Sequence, residues 1–456
     1  MSRDDNKRYL ILKDKSVFKG LIILAIPIMF NNFVKTIHDI VDMSFVSKIN
    51  GYGTDAVSSI SITFPVFFMF ISLGIGLGVA GTSIISQYLG SAQEKEAKKF
   101  ATNLVVLSLF IGLFLNVIAY LGAPFIMKVM GAEGFTLENS VKYLQIRSFE
   151  LPVLFLFFAY TAIRQASGDT ITPMFIGVIT VFLNIVLSPF LILGYGLGVP
   201  GAAYATLASY LIVLPIILYK LRKDTSGIVL DFEFIKPNKY VVNDLVRTAI
   251  PSSLGQSFTA VGFIVLTSFI LSYGDDTVAA FSVSNRISSL ILHPAMALGA
   301  VLSAYVGQNI GNLNVPRAKE AFRKAMILGV VIMATGSAIV INYRRNLAEI
   351  FIDDNQFALD LANDYLFFLL LGLPLMAIFQ TFIGVYNGSG NSKYTFVIGV
   401  VRLWLLRIPL ILIFKYFTDL GASGIWYAML LSNLLIVILG TFLYKKVDYK
   451  PKIRIG

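Results

Sequence analysis

Four ionisable side chains lie close together near the end of the first long apolar segment of this chain. Lys35, His38, Asp39 and Asp42 are spaced i, i+3, i+4 and i+7, which places them on one face of a helix. A charged side chain at the centre of a bilayer costs about 2.5–3.5 kcal/mol. A charged stripe in such a place faces protein or water and has a task, so these residues predict an ion or substrate site inside a membrane protein.

The whole chain is apolar enough to support that interpretation. Of its 456 residues, 56% are hydrophobic and only 14% are charged, a balance that excludes a soluble domain of this size. Apolar runs of about 20 residues, the length that crosses a bilayer core of about 30 Å, recur from end to end. We predict an all-α membrane protein with twelve transmembrane helices, at residues 20–46, 56–86, 98–122, 143–165, 171–196, 199–221, 242–272, 276–308, 318–342, 362–386, 394–417 and 422–444.

The basic residues indicate how these spans are oriented. If both termini are cytoplasmic, the segments on that side hold 26 Lys and Arg residues and the outer loops hold 6. Because basic residues are retained on the cytoplasmic side, the net charge of +11 reflects topology and does not indicate a nucleic-acid partner. We expect a multi-pass protein of a bacterial inner membrane, with both termini cytoplasmic and an uncleaved first helix.

The chain contains one internal repeat at an offset of 221–224 residues. Ala25-Ile26-Pro27 matches Ala249-Ile250-Pro251, and Gln87-Tyr88-Leu89-Gly90 matches Gln308-Asn309-Ile310-Gly311. Six spans return each half to its starting side, so the halves share one orientation, an arrangement common in secondary transporters. We predict two pseudo-symmetric six-helix lobes, at residues 1–221 and 242–456, joined by a cytoplasmic linker at residues 222–241.

The carboxylates inside the predicted spans all belong to the first half. Glu150, in the fourth span, is expected at about the depth of Asp39. A buried carboxyl group beside another carboxyl is suited to taking up and releasing a proton. The alternative is that Lys35 and Asp39, four residues apart, merely neutralise each other. We therefore predict Asp42, Asp39 and Glu150 as ion-coupling residues, with Lys35 and His38 as modifiers of the coupling.

The second half carries the opposite charge inside its spans. It has no membrane acid but contains Arg286, Arg402 and Arg407. On an α-helix, residues five apart differ by about 140°, so Arg402 and Arg407 are expected on different faces. They are either structural cations, paired to carbonyls or to Glu150, or contacts for an acidic group of a substrate. Together with Gln256 and Asn285, the three arginines are candidates for substrate or inter-lobe contacts.

Several other chemistries lack the residues they need. Without a Gly-Lys dipeptide the chain has no phosphate-binding P-loop, so transport would depend on an ion gradient. Without cysteine it has no disulfide, thiolate metal site or cysteine nucleophile. The short outer loops and two histidines do not provide the residue cluster of a membrane enzyme. We predict no enzyme activity, no cofactor and no structural metal.

The motifs together resemble those of the multidrug and toxic compound extrusion (MATE) family over essentially the whole chain. The first-span pattern ends in a Val-Asp pair, as in the family. The matching segments are Ala25-Ile26-Pro27, Ile40-Val41-Asp42, Phe64-Pro65, Gln87-Tyr88-Leu89-Gly90, Ser167-Gly168-Asp169-Thr170, Pro173 and Pro-Gly-Ala-Ala-Tyr-Ala at 200–205.

The resemblance implies cation-coupled antiport by alternating access of two six-helix lobes. Asp42 matches the family's first-helix carboxylate, whereas Asp39 and Glu150 stand where many members have uncharged residues. Some branches place a sodium-binding acid in the seventh helix, but residues 245–272 contain none and Leu266 matches Asp42 at offset 224. The resemblance thus favours proton coupling, with sodium at Asp42 still open.

The sequence therefore predicts an antiporter that exports small, mostly apolar or cationic compounds. Its partners would be those compounds, protons or sodium ions and the lipid bilayer, and we expect a monomer. The alternative is a flippase for a lipid-linked saccharide or another anionic lipid intermediate, suggested by the three arginines of the second half.

Overall fold

The protein forms long helices because lipid offers no partners to the backbone, so each N–H and C=O must bond within its own segment. The computed structural model describes residues 11–49, 52–223, 228–352 and 355–454, and for residues 39, 40, 53 and 54 it describes the backbone only. Within those ranges there is no β-strand, and eleven helices plus one bent helix pair are long and apolar enough to span a membrane. We label them α1 (Val17–Val46), α2 (Gly53–Gly90), α3 (Glu94–Val129), α4 (Gly134–Ser148 with Glu150–Ala166), α5 (Ile171–Gly194), α6 (Gly198–Lys223), α7 (Lys239–Leu271), α8 (Asp275–Gly311), α9 (Val315–Glu349), α10 (Gln356–Gly388), α11 (Ser392–Phe417) and α12 (Ser423–Tyr444).

The fourth span is the one that departs most from its predicted form. Instead of one helix over residues 143–165, α4 consists of two helices that meet at Phe149 with a bend of 45°. Pro152 lacks the N–H that would bond the carbonyl of Ser148, which weakens the helix at this point and allows it to bend. The bend places Glu150 at the start of the second helix.

Two other spans contain π-helical segments. In α5 the α-helix ends at Pro189 and Phe190–Gly194 continue it as a π-helix. In α11 the π-helical segment is Val401–Arg407. Such segments hydrogen-bond from i to i+5, which changes which side chains share a face, and they are frequent at functional sites.

Helices α1 and α7 are exchanged between the two halves of the bundle: each packs on the opposite half at its first residues and on its own half at its other end. At its first residues α1 packs against the other half, with Val17 and Leu21 in one apolar cluster with Tyr305 of α8. Correspondingly, Val241 and Leu245 of α7 pack with the α2–α4 cluster of the first half. At their opposite ends both helices pack on their own half, as the repeat in the sequence leads us to expect.

The two halves approach each other closely where α2 and α8 end. A Cβ atom at Gly90 would overlap the carbonyl oxygen of Gln308, and one at Gly311 would overlap that of Gln87. The C-terminal segment also reaches this contact, since the backbone N–H of Lys452 donates to Gln87 Oε1 at 2.8 Å. We call this side of the bundle the closed end.

The surface between the two ends is apolar. On α3, Phe110, Leu121 and Phe125 expose 67%, 72% and 73% of their area. Exposed apolar surface on this scale is unfavourable in water and is expected against lipid.

The connection between α6 and α7 lies over α3. Residues 224–227 are outside the described ranges, and a 3₁₀ turn at Phe232–Phe234 precedes α7. The Asn103 amide nitrogen donates to the carbonyl of Phe234 at 3.1 Å, and its oxygen accepts from the N–H of Asn238 at 2.9 Å. Helix α7 begins at Lys239, inside the predicted linker of residues 222–241; the lobe boundaries stay a prediction.

Candidate functional site

Asp42 lies in the half of α1 farther from the closed end, where it meets a polar face of α5. The Ser188 hydroxyl donates to Asp42 Oδ1 at 2.5 Å. A hydrogen bond to an ionised carboxylate is about twice as strong as one between neutral groups. The carboxylate of the first span is therefore held by a side chain from the fifth.

Asn184 extends this contact into a network across three helices. With its amide oriented to satisfy its neighbours, its nitrogen lies 3.3 Å from Asp42 Oδ1 and donates to His38 Nε2 at 2.8 Å. Its oxygen accepts from the Thr206 hydroxyl of α6 at 3.0 Å. Asn184 and Ser188 are four residues apart, so one face of α5 carries both.

Helices α1 and α5 also lie close together before this network. A Cβ atom at Gly177 of α5 would overlap Oδ1 of Asn31 of α1, one turn or more before the polar face in each helix. The overlapping atom ends a flexible side chain, so the contact shows that the two helices are close here and not that a glycine is required.

Glu150 forms a second part of the same region. Its carboxylate pairs with Arg147 across the bend of α4, with Nε to Oε2 at 2.5 Å and Nη2 to Oε1 at 3.3 Å. Arg147 also donates to the Tyr143 hydroxyl at 2.9 Å and lies over the Phe67 ring at 4.4 Å. Glu150 is 1% exposed, so its charge is compensated inside the protein by Arg147.

The two parts are close enough for their charges to interact. The His38 imidazole lies within electrostatic reach of the Glu150 carboxyl group, and the Asp42 carboxyl group lies within electrostatic reach of the Tyr143 hydroxyl. We call His38, Asp42, Glu150, Asn184 and Ser188 the N-lobe polar cluster. It combines two carboxylates with hydroxyl, amide and imidazole groups, a set that can accept a proton and whose oxygen atoms could also ligate a small hard cation.

The remaining residues of the charged stripe are less closely defined. Lys35 is partly buried, one turn before the cluster. The side chain of Asp39 is outside the described part of the chain. In the described ranges, no three His, Cys, Asp or Glu side chains are grouped to hold a metal ion.

Of the predicted contacts of the second half, Arg286 is exposed and Gln256 is partly buried. Asn285 donates to the Phe281 carbonyl at 2.7 Å and to the Tyr365 hydroxyl at 3.3 Å, so it lies inside its own half. An inter-lobe contact comes from a different residue, because His293 Nε2 lies 2.7 Å from the Thr36 hydroxyl of α1.

Arg402 and Arg407 are both buried in the π-helical segment Val401–Arg407. They contact different helices, since Arg402 donates to the Met376 sulfur of α10 and Arg407 donates to the Ser432 hydroxyl of α12. Their placement on different faces of α11 stays a prediction. Pairing with Glu150 is absent in the described ranges, where Glu150 pairs with Arg147.

Sequence reasoning missed Asn184, Ser188 and Thr206 because they are uncharged and common in helices. The signal that could have found them is the i, i+4 spacing of Asn184 and Ser188 in an otherwise apolar span. Arg147 lies within the predicted fourth span, and its i, i+3 spacing to Glu150 permits the pair, but the pair was not predicted from the sequence.

Two repeated six-helix halves, exchanged helices at one end and buried ionisable groups define a membrane transporter. A family model described as MatE matches residues 27–190 and again 251–413, with starts 224 residues apart. The chain belongs to this family of multidrug efflux transporters, which are not enzymes.

Curated relatives and solved structures match nearly the full length of the chain. The chain is 28% identical over 442 residues to the probable multidrug resistance protein YoeA of Bacillus subtilis, covering 94% of this chain and 95% of YoeA. It is 27% identical over 420 residues to a protein of Shewanella oneidensis named FAD transporter, covering 89% of each. A structure of a multidrug resistance MATE transporter in an outward-facing conformation matches with a TM-score of 0.90 and 25% identity, covering 96% of this chain and 97% of that one.

Proposed function

We propose that this protein is an antiporter that exports small, mostly apolar or cationic compounds and is driven by proton entry through the N-lobe polar cluster. The observation that carries the proposal is the hydrogen bond from Ser188 to Asp42. It links a titratable group on α1, a helix shared by both halves, to α5 of the first half. Protonation of Asp42 would weaken this link and so change how α1 is held.

The shape of the bundle supports alternating access. The halves meet at the closed end, where Gly90 and Gly311 lie against the carbonyls of Gln308 and Gln87. The likeness to an outward-facing transporter agrees with closure at one end of the bundle. The distribution of basic residues supports a cytoplasmic position for the closed end and both termini, in a bacterial inner membrane. The matching exchanges of α1 and α7 give the two halves equivalent elements about which they could rock, and we expect a monomer to suffice.

The arrangement around Asp42 favours a proton over sodium. Ser188 and Asn184 direct hydrogen-bond donors at Oδ1. A sodium ion bound there would have to displace these donors, whereas a proton needs only one carboxylate oxygen. Sodium at Asp42 remains the competing assignment, and Asp39 and Glu150 are proposed as further coupling residues, with Lys35 and His38 modifying them.

Anionic cargo is a second candidate, in the form of a flippase for a lipid-linked saccharide or another anionic lipid intermediate. The observation that favours it is the pair of buried arginines, Arg402 and Arg407, in the second half. The relative named FAD transporter, whose named cargo is anionic, points the same way. If neutral replacements of Arg286, Arg402 and Arg407 left all transport intact, this candidate would fail.

Transport by the purified protein in liposomes tests the lead proposal. Ethidium export would be followed under an imposed proton gradient, an imposed sodium gradient, or neither. We expect the proton gradient alone to support export. Export driven only by the sodium gradient would show that sodium, and not the proton, is the coupling ion. The absence of gradient-dependent export of ethidium and other lipophilic cations would contradict the antiport mechanism.

A further inference from the structure

Among the residues that the structure describes, two buried arginines of the second half have no acidic partner. Arg402 and Arg407 expose 7% and 3% of their area. Neither takes part in any of the ion pairs found among the described residues. Taking a charge out of water costs several kcal/mol unless another charge or a set of hydrogen bonds compensates it, and here the two charges also repel each other.

Hydrogen bonds compensate the two guanidinium groups only in part. Arg407 donates through Nε to the Ser432 hydroxyl at 3.0 Å and through Nη2 to the Asn433 amide oxygen at 2.7 Å. Arg402 donates through Nη1 to the Met376 sulfur at 3.0 Å, a weak acceptor, and its buried Nε has no partner. Since each guanidinium has five N–H donors, the pair presents donors without strong acceptors.

The repeat relates this place to the N-lobe polar cluster. At the offset of 223 Arg407 stands where the first half has Asn184, and at 222 Tyr365 stands where it has Tyr143. Tyr365 lies within electrostatic reach of Arg407, as Tyr143 lies beside Arg147. The second half thus has buried cations near the position that matches the N-lobe polar cluster.

The surroundings define what kind of anion would fit. The Phe379 ring lies 4.5 Å from the Arg402 guanidinium, and Met376 lies beside it. Apolar neighbours of this kind suit an oxyanion group that is carried on an apolar body.

We propose that Arg402 and Arg407 form a binding site for the phosphate or carboxylate group of an otherwise apolar cargo molecule. The planar donor forks of two arginines match the oxygens of such groups. The proposal rests on the transport function proposed above and extends its cargo to amphiphilic anions. It assigns cargo recognition to the second half and ion coupling to the first.

Binding can be measured without transport, because Trp426 of α12 stacks at 4.0 Å on Tyr365, which lies within electrostatic reach of Arg407. Trp404, the other tryptophan of the chain, donates its indole N–H to the Phe258 carbonyl of α7. The full-length protein in nanodiscs of neutral phosphatidylcholine would be titrated with phenyl phosphate while tryptophan emission is followed. Benzylammonium, similar in size and opposite in charge, is the matched probe.

We expect saturable binding of phenyl phosphate that inorganic phosphate competes away, and at least tenfold weaker binding in Arg402→Gln and in Arg407→Gln. The control is Arg323→Gln, an exposed arginine of α9, which should bind as the wild type does. Unchanged affinity in both site variants, or equal binding of benzylammonium, would overturn the proposal. If neither variant folds, the wild-type titration decides, since failure of inorganic phosphate to compete would refute the site.

Two further arms separate the remaining questions. Nanodiscs containing phosphatidylglycerol distinguish the source of the oxyanion, because competition with phenyl phosphate assigns the site to a lipid headgroup and lack of competition assigns it to a soluble cargo. Asp42→Asn should bind phenyl phosphate normally even though its gradient-driven export is lost. The anion site and the coupling mechanism can therefore fail independently.

Discussion

Ser188 donates its hydroxyl hydrogen to Oδ1 of Asp42 across 2.5 Å, joining α5 to α1. Helix α1 packs on the second half at the closed end and on the first half at its other end. A contact that depends on the charge of Asp42 is thus placed on a helix that both halves share. In the proposed mechanism, loss of that charge weakens the hold of the first half on α1.

Removing the hydroxyl tests this contact. A hydrogen bond to a charged group contributes about 1.5–3 kcal/mol, so Ser188→Ala should slow proton-driven ethidium export by about tenfold or more while leaving the protein folded. The control is Ser209→Ala on α6, because the Ser209 hydroxyl bonds only to the Ala205 carbonyl of its own helix at 2.7 Å. An Ser188→Ala protein that exports at the wild-type rate would show that the contact has no part in coupling.

The ion pair at the bend of α4 predicts a strong dependence of each residue on the other. Removing one member of a buried pair costs about 3–5 kcal/mol, because the remaining charge is left without compensation. Glu150→Gln and Arg147→Gln should each lower the unfolding temperature clearly, whereas the double variant should recover most of the loss. A double variant as unstable as the sum of the single variants would mean that the pair is not coupled.

The crossing at the closed end predicts the effect of one added methyl group. In Gly90→Ala the new Cβ meets the backbone carbonyl of Gln308, which cannot move as a flexible side chain could. We expect the closed end to loosen. The control is Gly399→Ala, since a Cβ at Gly399 would have only ordinary contacts, the nearest at 3.9 Å.

Thiol labelling can detect this loosening because the chain has no cysteine of its own. A single cysteine at Ser86, which is buried against Gly307 of α8, should react slowly with a maleimide in the otherwise native protein. The reaction should become several-fold faster in the Gly90→Ala background. An equal rate in the two backgrounds would contradict the idea that this crossing holds the halves together.

The sequence was informative wherever a feature depends on long stretches of apolar residues. All twelve spans were predicted, because a bilayer demands length and apolarity whatever the packing. The family was recognised and the repeat was found, because both rest on ordered series of residues. The bend at Phe149 was missed, although Pro152 is visible in the sequence, because a proline permits a helix to bend without requiring it.

The candidate site was predicted less completely than the fold. Asp42 and Glu150 stand out because a charged side chain has a high free-energy cost in a membrane. The uncharged side chains of Asn184, Ser188 and Thr206 cost little there, and only their contacts in the structure indicate a role. The π-helical segment Val401–Arg407, which carries Arg402 and Arg407, was not predicted, because nothing in its residues marks it clearly.

The central claim is that Asp42 couples proton entry to export, and one comparison tests it most directly. Ethidium export by Asp42→Asn in liposomes under an imposed proton gradient would be measured beside the wild type and Glu138→Gln. Glu138 is an exposed acid of α4 paired with Lys142 at 2.7 Å, so its replacement should leave export unchanged. The account predicts that Asp42→Asn gives no export above protein-free liposomes; export at the wild-type rate would contradict it.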